Sequence, residues 1–318
     1  MYVQLARRKA NLEGARPPSR TTTTTTTMAP QQRTTSFFPP GTMLANKRYK
    51  ILTLLNRGGT ATVYSAEDTS ASPPKIVALK CHDLSQASPS SLDRLKREIM
   101  NAKEIHHENV VTLYNVILEG DCLVLVLELV RGCDLLEVIN KNGGKLPEKL
   151  ARTYFVQLMN GVAKLHETNL CHRDLKPENC MVDERTNTLK VIDLGLSKHL
   201  TSAHTLGVGT PDYMAPELVN FSGNFGTKGT YNASASDVWS MGATLYLMVV
   251  GAYPFEDPDN PRDITSTLRN VLSGSYRPLP DRLEGKPCAD LLKKMLVPQP
   301  QNRITLESIW DHPWVKGK

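Results

Sequence analysis

Cys171-His172-Arg173-Asp174-Leu175-Lys176-Pro177-Glu178-Asn179 is the stretch on which the reading of this chain turns. It holds an aspartate able to take a proton, a lysine two residues on, and an asparagine three further. A second signal follows at Val191-Ile192-Asp193-Leu194-Gly195, where two β-branched residues run into Asp-Leu-Gly, and a third at Ala215-Pro216-Glu217. Upstream, Ile76-Val77-Ala78-Leu79-Lys80 has the pattern of a short buried strand ending in one lysine. One such motif arises by accident. Several in this order and at these separations do not.

Composition narrows the field. The chain has 318 residues, 40% hydrophobic and 22% charged, as a soluble globular protein has. Its net charge is +6, of which +5 falls in residues 1–40, where Arg7, Arg8, Lys9, Arg16, Arg20 and Arg33 face Glu13 alone. The remainder is nearly neutral and gives little electrostatic reason to expect nucleic-acid binding. Binding through the basic tail would have to be salt-sensitive and lost on its deletion. The six cysteines, Cys81, Cys122, Cys133, Cys171, Cys180 and Cys288, show no C-x-x-C pairing. They read as reduced thiols of a cytoplasmic or nuclear protein, neither a disulfide frame nor a zinc site. The longest apolar run, Met241 to Tyr253, is too short to span a bilayer and reads as a buried helix.

In chain order, residues 1–46 read as a disordered basic tail. Thr21 to Thr27, Pro17-Pro18 and Pro39-Pro40 leave too little apolar surface to offset chain entropy. An acid-poor, Arg-bearing start is also the composition of an organelle transit peptide, but no amphipathic period supports that. Folding should begin near Arg48-Tyr49-Lys50-Ile51. Two β-rich runs, Tyr49–Leu55 and Thr62–Glu67, flank Asn56-Arg57-Gly58-Gly59-Thr60-Ala61, which alone reads equally as an ordinary hairpin turn. Ser90-Ser91-Leu92-Asp93 then starts a helix in capping-box style, with Leu92, Leu95, Ile99, Ala102 and Ile105 at helical spacing. Glu98 lies on it, within reach of Arg94 as a surface pair. Leu123 to Leu127 is a continuous apolar strand leading to Glu128-Leu129-Val130-Arg131-Gly132-Cys133-Asp134. Leu146-Pro147-Glu148 opens a further helix carrying Phe155, Leu158, Val162 and Leu165.

Together these segments match H-R-D-L-x-x-x-N, V-A-I-K, D-F-G and A-P-E, and over residues 49–315 the chain resembles a eukaryotic protein kinase. The resemblance implies an α+β bilobal fold. An N-lobe, residues 47–128, would hold a small antiparallel β-sheet and one helix, and residues 129–318 would form a larger, mainly helical C-lobe. It implies ATP and Mg²⁺ as cofactors, with Asp174 accepting the proton of a protein hydroxyl and Asn179 and Asp193 holding the metal. Lys80 would grip the α- and β-phosphates and pair with Glu98, while Lys176 would meet the γ-phosphate. Leu55, Val63, Ala78 and Met181 would enclose adenine, with Leu127 as gatekeeper and the backbone of Glu128 and Val130 as its hydrogen-bonding edge. Asp134 would face the ribose. Against G-x-G-x-x-G-x-V only Gly58 and Val63 match; Asn56 tolerates a left-handed φ, whereas Ala61 adds a methyl where backbone should approach phosphate.

Lys176 within L-K-P-E-N and Thr210 in Gly209-Thr210-Pro211 resemble the serine/threonine class, in which the threonine hydroxyl contacts the catalytic aspartate. Leu194 replaces the usual phenylalanine and fills the same apolar slot. Arg173 implies a phosphate on the activation segment, for which Thr205 is the expected site, added by an activating kinase or in autophosphorylation. Glu217 implies a buried pair with Arg303, and Asp237 an anchor for the catalytic-loop backbone. Glu178 and Asp134 suggest preference for arginine upstream of the target residue.

Leu245 to Pro258, Arg97-Glu98-Ile99-Met100-Asn101 and His312-Pro313-Trp314 resemble plant sucrose-non-fermenting-related stress kinases, within the calmodulin-dependent and AMP-activated group. Three features depart from that branch: a shorter activation segment, a glycine-bearing insertion at Phe221–Tyr231, and an end at Lys318 that leaves no room for a regulatory tail. The competing reading is a pseudokinase scaffold that binds nucleotide without turnover. The altered glycine loop favours it, and the presence of Lys80, Glu98, Asp174, Asn179 and Asp193 opposes it. Neither nucleic acid nor membrane is an expected partner.

Overall fold

Among the described residues, nine short strands make two antiparallel sheets, and the larger follows directly from residue alternation. The computed structural model describes residues 38–58, 61–85, 102–193, 211–223, 232–261 and 263–317, with single positions at 92, 96, 99 and 100. Strands β1 (Met43–Leu44), β2 (Tyr49–Arg57), β3 (Thr62–Asp68), β4 (Lys75–Asp83), β5 (Leu113–Glu119) and β6 (Cys122–Glu128) form a sheet of order β1-β2-β3-β4-β6-β5. On β4, Val77, Leu79 and Cys81 point into one core with Tyr49, Ile51 and Tyr64. Alternation turns Ala78, Lys80 and His82 to the opposite face. Strand β6 is buried on both faces: Val124 and Val126 join the first core, Leu123 and Leu125 the second. That is why its sequence is an unbroken apolar run.

Three boundaries differ from the sequence reading. Ordered structure starts before Arg48, because Met43–Leu44 pairs with Tyr49–Lys50 and buries Leu44. Two residues carry no period to detect. Strand β2 runs through Asn56 and Arg57, opposite Val63 and Thr62, so Asn56 lies in a strand and has no left-handed φ. The first residues of the expected insertion, Phe221 to Gly223, end a helix, Pro216–Gly223; 224–231 lie outside the described residues.

The second sheet, β7 (Gly132–Asp134), β8 (Cys180–Asp183) and β9 (Thr188–Val191), lies among helices α1 (Leu135–Lys141), α2 (Glu148–Glu167), α3 (Pro216–Gly223), α4 (Ala233–Val250), α5 (Ile264–Ser273), α6 (Pro287–Met295) and α7 (Leu306–Trp310). Helix α4 is the axis of this part. Every residue from Ser236 to Val249 is buried, the signature of a helix apolar on all sides. Asn232 caps its start by accepting from Ala235 N–H, and Gly251 ends it at φ 86°. Trp239 stacks on Phe255, and Trp314 closes the chain end on α2, its indole N–H donating to Glu148 Oε1 at 2.8 Å. Truncating a buried tryptophan of this kind costs about 3–5 kcal/mol. Gly161 lets α2 approach the segment at Asn109, where a Cβ would lie 2.6 Å from the Asn109 carbonyl. Among the described residues, no helix is long and apolar enough to cross a membrane, and none of the six cysteines is in a disulfide.

Candidate active site

The loop at 171–179 is held from below by α4. Asp237, fully buried, accepts from His172 N–H at 2.9 Å through Oδ2 and from Arg173 N–H at 2.8 Å through Oδ1. These two charge-assisted bonds offset the left-handed backbone of Arg173 (φ 62°), a conformation costing about 1–3 kcal/mol outside glycine. His166 of α2 meets the same carboxylate, Nε2 to Oδ2 at 2.8 Å. Burial alone would pull His166 down, but its hydrogen bonds and the charges of Asp237 and Cys171 lift it to about 9. His172, buried, bonds the Ile192 carbonyl at 2.8 Å through Nε2 and so ties the loop to the residue before Asp193.

Above this floor the side chains expected to act in catalysis converge. Asn179 Nδ2 donates to the Asp174 carbonyl at 2.7 Å and to its Oδ2 at 3.3 Å. Lys176 Nζ lies 3.5 Å from the same Oδ2, whose side chain is 40% exposed and open to an incoming hydroxyl. Ile192 N–H donates to the Asn179 carbonyl at 2.9 Å, which places Asp193 beside this group. Across the cleft, Lys80 Nζ from β4 lies 2.5 Å from Asp193 Oδ1. Burial pushes the Asp193 carboxyl up, yet the charge and hydrogen bond of Lys80, aided by His172 and His82, hold it below the usual carboxylate value. The donor set suits a hard divalent cation. Asp193 is an ionised carboxylate, and Asn179 spends its amide N–H on Asp174, which leaves Oδ1 as the acceptor Mg²⁺ takes.

The residues expected to enclose adenine are positioned by strand register. Ala78 sits opposite Leu127, Val63 opposite Lys80, and Met181 opposite both Asp134 and Lys190. Glu128 closes β6, its N–H bonded to the Thr112 carbonyl, and Val130 follows. Asp134 carries a task the sequence reading did not give it: its Oδ1 accepts from Glu137 N–H at 2.8 Å and caps α1. Leu55 is half exposed near a register shift in β2, and Gly58 donates its N–H to the Ala61 carbonyl at 2.9 Å. Glu98, Thr210, Leu194 and Thr205 lie outside the described residues, so the expected Lys80–Glu98 pair and the activation-segment sites go undescribed.

Around the centre, Glu217 and Arg303 form a two-pronged buried pair at 2.8 and 2.9 Å, with Ser236 Oγ donating to Glu217. Burial raises Glu217, and Arg303 more than reverses that. Glu178 is pushed up by burial, with Asp134 and Asp174 adding to the rise, and its Oε2 is buried without a hydrogen-bond partner. The sequence reading missed two contacts. Lys190 Nζ meets Glu128 Oε1 at 3.1 Å, joining β9 to the end of β6. His166, Cys171 and Asp237 also converge. Lys190 and Glu128, and Asp237 and the His166–Cys171 segment, are far apart in sequence and share no motif; a lysine facing inward on a short strand was the one available signal.

Comparison with known proteins agrees with this geometry. The family described as Protein kinase domain matches residues 49–315. The chain is 41% identical over 226 residues to serine/threonine-protein kinase SAPK1 of Oryza sativa subsp. japonica, covering 70% of this chain and 64% of that protein. It is 40% identical over 230 residues to serine/threonine-protein kinase SRK2F of Arabidopsis thaliana, covering 71% and 63%. An abscisic acid-inducible protein kinase of Triticum aestivum is 40% identical over 226 residues, covering 70% and 65%. The matched stretch thus spans under two thirds of each relative's length. Among solved structures, Rad53 1–466 in complex with AMP-PNP superposes with a TM-score of 0.70 at 26% identity, covering 85% of this chain and 66% of that one.

Proposed function

The chain belongs to the protein kinase domain family, and from that premise we propose that it transfers the γ-phosphoryl group of ATP to serine and threonine hydroxyls of proteins. The observation that carries the proposal is the convergence of Asp174, Lys176 and Asn179 on one loop with the Lys80–Asp193 pair facing them. Asp174 orients the acceptor hydroxyl and takes its proton as the oxygen attacks phosphorus and the bond to ADP breaks. Lys176 balances charge on the transferred oxygens, and Lys80 holds the phosphates behind. Mg²⁺, held by Asn179 and Asp193, would neutralise phosphate charge. The fixed loop floor supports turnover over a scaffold role, since Asp237 holds the backbone beside Asp174 before any ligand arrives.

The unsatisfied Glu178 Oε2, with Asp134 nearby, favours substrates bearing arginine upstream of the acceptor. Phosphorylation of Thr205, by an activating kinase or in autophosphorylation, would supply the activation-segment anion that the family resemblance assigns to Arg173. A relative named abscisic acid-inducible supports a setting in stress signalling, and the cytoplasm or nucleus is the proposed place of action. Incubation with Mg-ATP and a basic peptide, with Asp174→Asn as control, tests the activity. No transfer by a phosphorylated wild-type sample defeats it. Full activity of Thr205→Ala would remove Thr205 as the switch.

A further inference from the structure

Behind the catalytic loop, away from the nucleotide wall, three metal-competent side chains meet. His166 ends α2, Cys171 opens the loop, and Asp237 lies in the first turns of α4; one ligand atom from each falls within 4.8 Å of the others. His166 Nε2 and Asp237 Oδ2 are 2.8 Å apart, and Cys171 Sγ lies 3.7 Å from Ser234 Oγ. Cys171 and His166 are partly exposed, while Asp237 is buried. Of the three, His166 lines a cavity of about 620 Å³, together with Asn232, Ser234, Thr305 and Glu307. Imidazole, thiolate and one carboxylate oxygen are the ligands of tetrahedral zinc rather than of magnesium.

We propose that His166, Cys171 and Asp237 form a Zn²⁺ site, reached from this cavity on its His166 side, and that its occupancy acts on the catalytic loop through Asp237. Tetrahedral zinc with bonds of about 2.0–2.3 Å holds its ligand atoms about 3.3–3.7 Å apart. From the present positions the sulfur moves inward by about 1 Å, and the His166–Asp237 contact opens by about half that. Zinc replaces the proton shared between His166 and Asp237 and the Cys171 thiol proton; both pass to solvent, and no redox change occurs. Asp237 Oδ2 also accepts from His172 N–H, so a metal on that oxygen draws on the same carboxylate that fixes the backbone next to Asp174. The geometry therefore gives zinc a route to the loop distinct from displacement of Mg²⁺ at Asp193.

The test uses the full chain and the metal alone. Titration with Zn²⁺ against a chromophoric chelator should give one ion per chain, bound tighter than micromolar. Cys171→Ser should weaken binding at least tenfold, while Cys133→Ser, the other partly exposed cysteine, leaves it intact. Co²⁺ in place of zinc should give intense visible bands of tetrahedral ligation and a thiolate charge-transfer band, both lost in Cys171→Ser. The Co²⁺ spectrum of the wild-type chain decides the matter even if that variant does not fold. Octahedral, thiolate-free cobalt, or zinc binding indifferent to Cys171, overturns the proposal. Binding needs no turnover, so it stands or falls separately from the kinase reading.

Discussion

Asp212 should make the protein less stable at neutral pH than an asparagine in its place. It lies near the end of the expected activation segment, in the short turn Pro211–Tyr213, 3% exposed, with Oδ1 buried and lacking a hydrogen-bond partner. Burial, and then the charge of Glu256, raise its carboxyl from 3.8 to about 6. At about 1.4 kcal/mol for each pH unit, the ionised form costs the folded chain about 3 kcal/mol above pH 6. Below pH 3.8 the group is neutral in folded and unfolded chains alike and costs nothing. As pH rises, the unfolded chain ionises first and stability falls, until the folded carboxyl also ionises near 6. Asp212→Asn removes that cost but buries an amide with its own unmet bonds, so the net gain at pH 7.5 is about 1–2 kcal/mol. For a chain of this size that raises Tm by roughly 2–8 °C. At pH 4 the charge term is only about 0.5 kcal/mol, and the gain vanishes. Thermal melts of both proteins at the two pH values, with Glu256→Gln giving a smaller gain at 7.5, are the assay. An equal Tm difference at both pH values, or no gain at 7.5, refutes the reasoning.

Arg303→Met strands the Glu217 carboxylate inside the protein and should cost about 3–5 kcal/mol by denaturant melt, with much of the loss recovered by adding Glu217→Leu. Lys80→Met should lower phosphoryl transfer about 10²–10³-fold, read as kcat, with an unchanged far-ultraviolet circular dichroism spectrum. Glu178→Gln should cut kcat/KM for an arginine-bearing peptide about tenfold and leave a neutral peptide unaffected, the factor for about 1.4 kcal/mol of charge pairing.

What was legible in the sequence was whatever repeats locally. The strand ending in Lys80, the apolar β6 and the buried run of α4 announce themselves by period and composition, and the loop at Asp174 by motif. The Glu217–Arg303 pair and the Asp237 anchor were also reached in advance, by resemblance alone; nothing near either residue signals its partner. Contacts set by packing stayed hidden. Lys190 finds Glu128 because β9 and the end of β6 are brought side by side, and Asp134 caps α1 because the chain turns there. Strand β1 escaped because two residues have no pattern, and Asn56 was misplaced because glycine-rich composition blurred where β2 stops.

The central claim is that Asp174, Lys176, Asn179, Lys80 and Asp193 act together on the terminal phosphate of ATP. Radiolabel transfer from γ-labelled ATP to a serine peptide, wild type against Asp174→Asn, tests it most directly. The account predicts transfer by the wild type and a rate about 10²–10⁴-fold lower in the variant, with ATP still bound. Equal rates in the two proteins, or ATP binding by the phosphorylated wild type with no transfer at all, would contradict it.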